Sequence, residues 1–186
     1  MKKVFFNILF ILTFFLPVSG QEDSPFLTIG YCDGRNGEKG EITSATAENI
    51  SAAVEIAPQM VRALAGNDLS AIRVYLPAKT NINSLTVWVR NSLDGENVAE
   101  STVKSKSLSK GWNELSLETP FKIEDGETFY MGYTFSQKKR AYAICCTGDY
   151  REGGLYYRFD GEDWIVDTQY GNLCIEGVVT GDNLPR

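Results

Sequence analysis

Apolar and polar residues alternate with a period of two along much of the chain, the pattern of strands that bury one face. The clearest case is residues 85–90, where Leu85, Val87 and Val89 share one face and polar or aromatic residues occupy the other. Residues 50–56 repeat this alternation. We therefore predict half-buried strands at both places.

Further short runs of the same kind are separated by glycine, proline and Asp-Gly turns. Strands are predicted at residues 26–32, 50–56, 72–76, 85–90, 98–104, 112–118, 128–136, 141–146, 155–159, 164–166 and 173–180. Residues 33–40 are predicted as an exposed loop, and residues 58–65 as one or two helical turns closed by Gly66. This pattern predicts an all-β fold, an antiparallel β-sandwich of jelly-roll-like type.

The first 20 residues have the composition of a secretory signal peptide. Two lysines precede an apolar run at residues 4–16, and small residues end the segment at Gly20. The run is too short for a membrane span of about 20 residues. We therefore expect cleavage after Gly20, a single domain at residues 21–186, and a secreted or cell-surface location with no membrane insertion after cleavage.

The chain is acidic. It has 18 Lys and Arg residues against 24 Asp and Glu residues, a net charge of −6. Residues 1–20 contain two lysines and no acid, so 16 basic and 24 acidic residues remain after cleavage, a net charge of −8. An acidic surface repels phosphate backbones, so nucleic acid is not an expected partner.

The chain contains no histidine. Its absence excludes Ser-His and Cys-His nucleophilic pairs, histidine general bases and histidine-ligated zinc. The loop at residues 33–38 offers oxygen ligands but fits no EF-hand spacing. We therefore expect no metal and no cofactor.

The cysteines are Cys32, Cys145, Cys146 and Cys174. Export to an oxidising compartment permits disulfides, and all four are candidates. A bond between Cys145 and Cys146 would be strained because adjacent residues of a strand point to opposite faces. One bridge from Cys32 or Cys174 to a member of that pair is the first alternative. Four small buried apolar groups are the second.

Carboxylates are the common catalytic groups that remain. A small glycosidase would need two acids facing one groove. Glu55, Glu114 and Glu176 lie in the middle of predicted strands, but none of these strands is rich in aromatic residues. We therefore predict no catalytic residue.

Aromatic residues supply the candidate ligand-binding positions, because exposed Tyr and Trp rings can stack on sugars and still form hydrogen bonds. Tyr156, Trp164 and Tyr170 would form a platform if they share an exposed face. The alternative is that Trp164 and Tyr157 fill the core and Tyr170 caps it.

Trp88 is a second and weaker candidate. Arg90 follows it on the same strand face. The pair can serve a ligand or can simply be a packed cation–π contact.

Several segments together resemble one family. They are residues 29–34, 50–54, 59–60, 65–66, 72–74, 87–90, 92–95, 110–113 (Lys-Gly-Trp-Asn), 130–133, 170–175 and 181–185 (Gly-Asp-Asn-Leu-Pro). The set is similar to the β-sandwich modules of secreted, surface-associated multidomain proteins of Bacteroidota. The resemblance covers nearly all of residues 21–186 and consists of turn and strand-core signatures. It implies a non-catalytic role in attachment, carbohydrate binding or protein binding, and it carries no catalytic residue.

Pattern and resemblance together predict a secreted binding module, adhesin-like or glycan-binding, whose partner is a glycan or a host or surface protein. A subunit or inhibitor in a surface protein complex is the alternative. A small carboxylate-dependent glycosidase is a third hypothesis.

Overall fold

Two antiparallel sheets pack face to face in the computed structural model, which describes residues 26–32, 37–39, 42–46 and 48–185. The strands are β1 (Phe26–Gly30), β2 (Glu38–Lys39), β3 (Asn49–Ile56), β4 (Asp68–Leu76), β5 (Ile82–Arg90), β6 (Ala99–Lys104), β7 (Gly111–Lys122), β8 (Phe129–Gln137), β9 (Cys145–Cys146), β10 (Tyr156–Phe159), β11 (Ile165–Val166) and β12 (Ile175–Thr180). The predicted all-β antiparallel sandwich is confirmed.

One sheet has four strands in the order β1-β12-β4-β7, and the other has six in the order β11-β10-β3-β8-β5-β6. Strands β2 and β9 form a small separate ladder. The chain crosses between the two sheets repeatedly, for example from β3 to β4 and from β6 to β7. The edges of the sandwich are therefore β1 and β7 on one sheet and β11 and β6 on the other.

The core lies between the sheets and consists of the apolar residues on one face of each strand that was predicted from alternation. Ile50, Ala52, Val54 and Ile56 of β3 are all fully buried. The inner faces of β5 and β8 add their own alternate residues, which are Leu85, Val87, Val89, Phe129, Met131, Tyr133 and Phe135. The alternate side chains of these strands point away from the core and form the outer face of the six-stranded sheet.

Two predictions need correction. Of residues 141–146, only Cys145 and Cys146 form a strand. The backbone groups of Ala141 and Ala143 form hydrogen bonds with side chains instead of with a neighbouring strand. The Gln137 side chain accepts from the Ala141 N–H at 3.1 Å, and the Tyr133 hydroxyl donates to the Ala143 carbonyl at 2.8 Å. The predicted loop at residues 33–40 contains the short strand β2.

The predicted helical turns are present as α1 (Pro58–Val61) followed by a 3-10 turn (Arg62–Leu64), and a second 3-10 turn spans Ser105–Ser107. Within the described ranges, no helix has the length and apolar character needed to cross a bilayer. The predicted signal segment at residues 1–20 lies outside the described residues.

Candidate functional site

The outer face of the six-stranded sheet brings distant aromatic residues together. The strand registers place Trp88, Gly132, Ala53 and Tyr156 in one row across β5, β8, β3 and β10. The two small residues in the middle of the row are buried. The Trp88 ring covers Gly132, since a Cβ on Gly132 would lie 2.6 Å from two ring atoms of Trp88.

Glu55 lies two residues after Ala53 on the same face of β3, and three tyrosine hydroxyls donate hydrogen bonds to it. Tyr156 donates to Oε2 of Glu55 at 2.9 Å, and Tyr130 donates to the same oxygen at 3.2 Å. The rings of Tyr130 and Tyr156 meet edge to face, with centroids 5.9 Å apart. Tyr31 donates to the main-chain oxygen of Glu55 at 2.7 Å. Three tyrosines from three parts of the chain therefore fix one glutamate.

Tyr31, Glu55 and Tyr156 line a cleft of about 350 Å³, which we call the Glu55 cleft. Its lining residues are Tyr31, Glu55, Ala57, Pro58, Gln59, Glu152, Gly153 and Tyr156. Both tyrosine hydroxyls that reach the carboxylate use Oε2, and no hydrogen bond from the described part of the chain reaches Oε1. The second oxygen of Glu55 can therefore accept a hydrogen bond from a ligand.

Gly153 forms a wall of the cleft that no larger residue could form. Its φ is +78°, and its carbonyl accepts from the Glu55 N–H at 2.8 Å. A Cβ at this position would lie 2.9 Å from the Tyr31 hydroxyl and 3.2 Å from the Cβ of Glu55. The glycine thus lets the loop before β10 approach β3 closely.

The tyrosine hydroxyls around Glu55 stay protonated well into the alkaline range. Burial, followed by the negative charge of Glu55, raises the pKa of Tyr31 to about 12. Burial and then the hydrogen bond to Glu55 raise the pKa of Tyr156, and burial and then the Glu55 charge raise that of Tyr130. All three groups therefore remain hydrogen-bond donors at neutral pH.

A stack of arginine and tryptophan side chains lies on the same outer face of the six-stranded sheet. Arg90 lies 4.0 Å above the Trp88 ring, and Trp164 packs edge-on against Trp88 with centroids 6.2 Å apart. Arg158 covers Trp164 at 4.7 Å. Asp94 accepts from the Trp164 indole N–H at 3.1 Å and from Arg158 at 3.2 Å.

This stack closes Trp88 to ligands. Its relative exposure is 0%, and its indole N–H is used by the Thr134 hydroxyl at 3.1 Å. The packed cation–π alternative of the sequence analysis therefore describes Trp88 and Arg90. Trp164 is half-buried, so part of its ring is accessible.

Of the predicted ligand-binding residues, Tyr156 and Trp88 lie on the outer face, and Trp164 packs against Trp88 there. Tyr170 is 40% exposed, and its backbone N–H donates to Asp167. In the described part of the chain, Tyr170 makes no ring contact with Tyr156 or Trp164, so a platform of these three residues stays a prediction.

The three mid-strand glutamates are separated. Glu55 lies on the six-stranded sheet, whereas Glu114 and Glu176 flank Arg73 on the four-stranded sheet at 3.9 and 3.0 Å. Glu176 is 2% exposed. The aromatic neighbours of Glu55 belong to other strands, so the sequence pattern around Glu55 does not indicate this site.

Three of the cysteines form a cluster outside the main core. The sulfurs of Cys145 and Cys174 both lie over Gly37, and Cys174 is hydrogen-bonded to Cys145 and Cys32. These bonds, with burial, raise the pKa of Cys174. Cys146 points into the main core instead, and burial followed by the Cys145 charge raises its pKa to about 12.

No disulfide bond joins any two of the four cysteines, all of which are described. The expectation of a disulfide is not met, and buried thiols, the second alternative, are what the structure contains. No group of three or more His, Cys, Asp or Glu side chains in the described ranges is arranged to hold a metal ion. Residues 33–36 of the loop considered for oxygen ligands lie outside these ranges.

Comparison with protein-family models finds no match to this chain, and comparison with curated proteins finds no similar sequence. The function is therefore inferred from the geometry of the site.

Proposed function

We propose that this chain is an exported, non-catalytic binding module, adhesin-like in its role, that binds a glycan in the Glu55 cleft at or near the bacterial cell surface. The observation that carries the proposal is the pair of tyrosine hydroxyls held on one oxygen of Glu55. This arrangement orients a carboxylate acceptor beside two aromatic rings. Sugars need this combination, because they present apolar C–H faces together with hydroxyl donors.

The size and polarity of the cleft support a small polar ligand. Its volume of about 350 Å³ is at the lower end of the range of ligand sites, about 300–1,000 Å³. Gln59 and Glu152 add polar groups to its lining. Trp164 is half-buried on the same outer face of the sheet and offers ring surface to a glycan longer than one unit.

One observation favours a second candidate function. Glu152 lines the same cleft as Glu55, so two carboxylates are available on one site. A carboxylate-dependent glycosidase would use such a pair as acid and nucleophile or base. This alternative predicts turnover of the bound glycan, which a binding module does not show.

The test is binding to an array of mucin, plant and bacterial glycans, followed by calorimetry with the strongest ligand. Tyr156→Ala removes a ring and a hydroxyl from the cleft, and we expect a loss of affinity of about tenfold or more. Tyr170→Ala is the matched control, because this exposed tyrosine is not one of the residues that line the cleft, and the affinity of this variant should stay within about twofold of wild type.

Glu55→Gln is the second arm, with Glu114→Gln on the other sheet as its control. We expect only the first to weaken binding, because a hydrogen bond to a charged group contributes about 1.5–3 kcal/mol. Equal effects of each variant and its control, or no glycan bound at all, would refute the proposal. Release of reducing sugar that Glu55→Gln abolishes would instead support the glycosidase.

A further inference from the structure

Among the described residues, β1 is an open sheet edge. It pairs with β12 on one side in a regular register from Phe26 with Thr180 to Gly30 with Glu176. On its other side, no strand of the described residues pairs with it. An open edge presents backbone N–H and C=O groups to any other extended chain.

The other three edges carry the features that prevent strand pairing. β7 has charged residues at Glu114, Glu118 and Lys122 and a proline at Pro120. β6 also carries charges of both signs, and β11 is only two residues long. Charge, proline and shortness are the usual protections of exposed edges.

β1 has none of these protections. Its sequence, Phe26-Leu27-Thr28-Ile29-Gly30, contains no charge and no proline, and its pairing with β12 has no bulge. Phe26 is 54% exposed at its start. In a chain of net charge −6, an uncharged open edge of five residues is therefore a candidate interface.

We propose that β1 pairs with β1 of a second copy of this chain, antiparallel across a two-fold axis at Thr28. Such an interface is isologous, so each strand must complement itself. The register centred on Thr28 places Thr28 opposite Thr28, a favourable cross-strand pair. No other residue of β1 can serve as the centre and keep all five residues paired.

The remaining pairs in this register also match. Leu27 is half-buried and Ile29 is buried on the inner face. In this register, Leu27 of one copy lies opposite Ile29 of the other copy. On the outer face, Phe26 meets Gly30 of the second copy. An aromatic ring opposite a strand glycine covers its exposed backbone and stabilises the pair.

Electrostatics makes the dimer sensitive to salt. Two copies of the expected mature chain, each of net charge −8, repel each other, whereas the paired strands themselves are neutral. Salt screens this repulsion over about 10 Å at 0.1 M, so added salt should strengthen association. The paired strands are short, so the interface is small and the dimer should be weak and concentration-dependent.

The experiment is sedimentation equilibrium of the purified protein over a concentration series that reaches millimolar. We expect the mass to rise toward twice that of the monomer, and to do so at lower concentration when sodium chloride is added. Thr28→Lys places two lysines opposite each other and should raise the dissociation constant about tenfold or more. Thr102→Lys, the same exchange at an exposed threonine of β6, is the control and should have little effect.

A mixture of Thr28→Lys and Thr28→Glu separates the interface from any effect on folding. Each variant alone should be monomeric, and the equimolar mixture should form the heterodimer because the central pair becomes Lys opposite Glu. A wild-type protein that stays monomeric at millimolar concentration would overturn the proposal. Equal effects of Thr28→Lys and Thr102→Lys, or a mixture that does not associate, would also overturn it.

Discussion

The Tyr156 hydroxyl donates a 2.9 Å hydrogen bond to Oε2 of Glu55, a residue 101 positions earlier in the chain. β10 and β3 are neighbours in the six-stranded sheet, and Tyr156 pairs with Ala53, two residues before Glu55 on the same face. The contact is therefore a diagonal cross-strand pair. It orients the carboxylate that the proposed glycan site needs.

The first prediction concerns this pair. Tyr156→Phe removes the hydroxyl and keeps the ring, and we expect a loss of about 1 kcal/mol in the free energy of unfolding, because the bond is only partly shielded from water. In a cycle with Glu55→Gln, the two changes should be non-additive by about 0.5 kcal/mol or more. Urea unfolding measures both. Additive effects, or an equal loss in Tyr170→Phe, would show that the hydroxyl does not act through Glu55.

The second prediction concerns alkaline pH. The pKa of Tyr31 is raised from 10.0 to about 12, so the folded protein holds this proton more tightly than the unfolded chain. Its contribution to stability is complete below pH 10 and is lost as pH rises from 10 to about 12. Tyr130 and Tyr156 change in the same direction.

Unfolding at a series of alkaline pH values, together with the ultraviolet absorbance of phenolate, checks this expectation. Tyr31→Phe should flatten the decline of stability above pH 10 without abolishing it, since two other tyrosines contribute. Phenol groups that all titrate near their ordinary pKa in the folded protein would contradict the prediction.

The third prediction concerns the contact between Gly132 and Trp88. A Cβ on Gly132 would lie 2.5 Å from the Ala52 carbonyl oxygen and 2.6 Å from the Trp88 ring. Gly132→Ala should therefore destabilise the protein by about 1–3 kcal/mol. Trp88→Phe removes the ring atoms that the new Cβ would contact. Trp88→Phe should therefore lower the free energy of unfolding less in the Gly132→Ala background than in the wild-type protein. Thermal unfolding of the four proteins measures the cycle, and equal costs would exclude this contact as the cause.

The fourth prediction concerns the thiols. All four cysteines are buried, and the pKa values of Cys146 and Cys174 are raised, so a thiol reagent should find little reactive thiolate in the folded protein. Titration with an aromatic disulfide reagent should show almost no reaction in native buffer and four reactive thiols per chain in denaturant. Fewer than four in denaturant would mean that a disulfide had formed.

Local pattern was enough for most strands. Alternation in residues 50–56 and 85–90 predicts the inner faces of β3 and β5, because side chains of a strand point to opposite sides whatever the neighbours are. The same argument failed at residues 141–144, where the side chains of Gln137 and Tyr133 take the backbone groups that a strand would use.

Sequence alone determined the fold class, the absence of histidine chemistry and the presence of aromatic residues near the end of the chain, because composition and period-two alternation are local properties. Only the tertiary structure decided which residues meet. Sheet order brings Tyr130 and Tyr156 to Glu55 across 75 and 101 positions. The physical reason is that a strand specifies its two faces, whereas its neighbours are set by the packing of the whole sandwich.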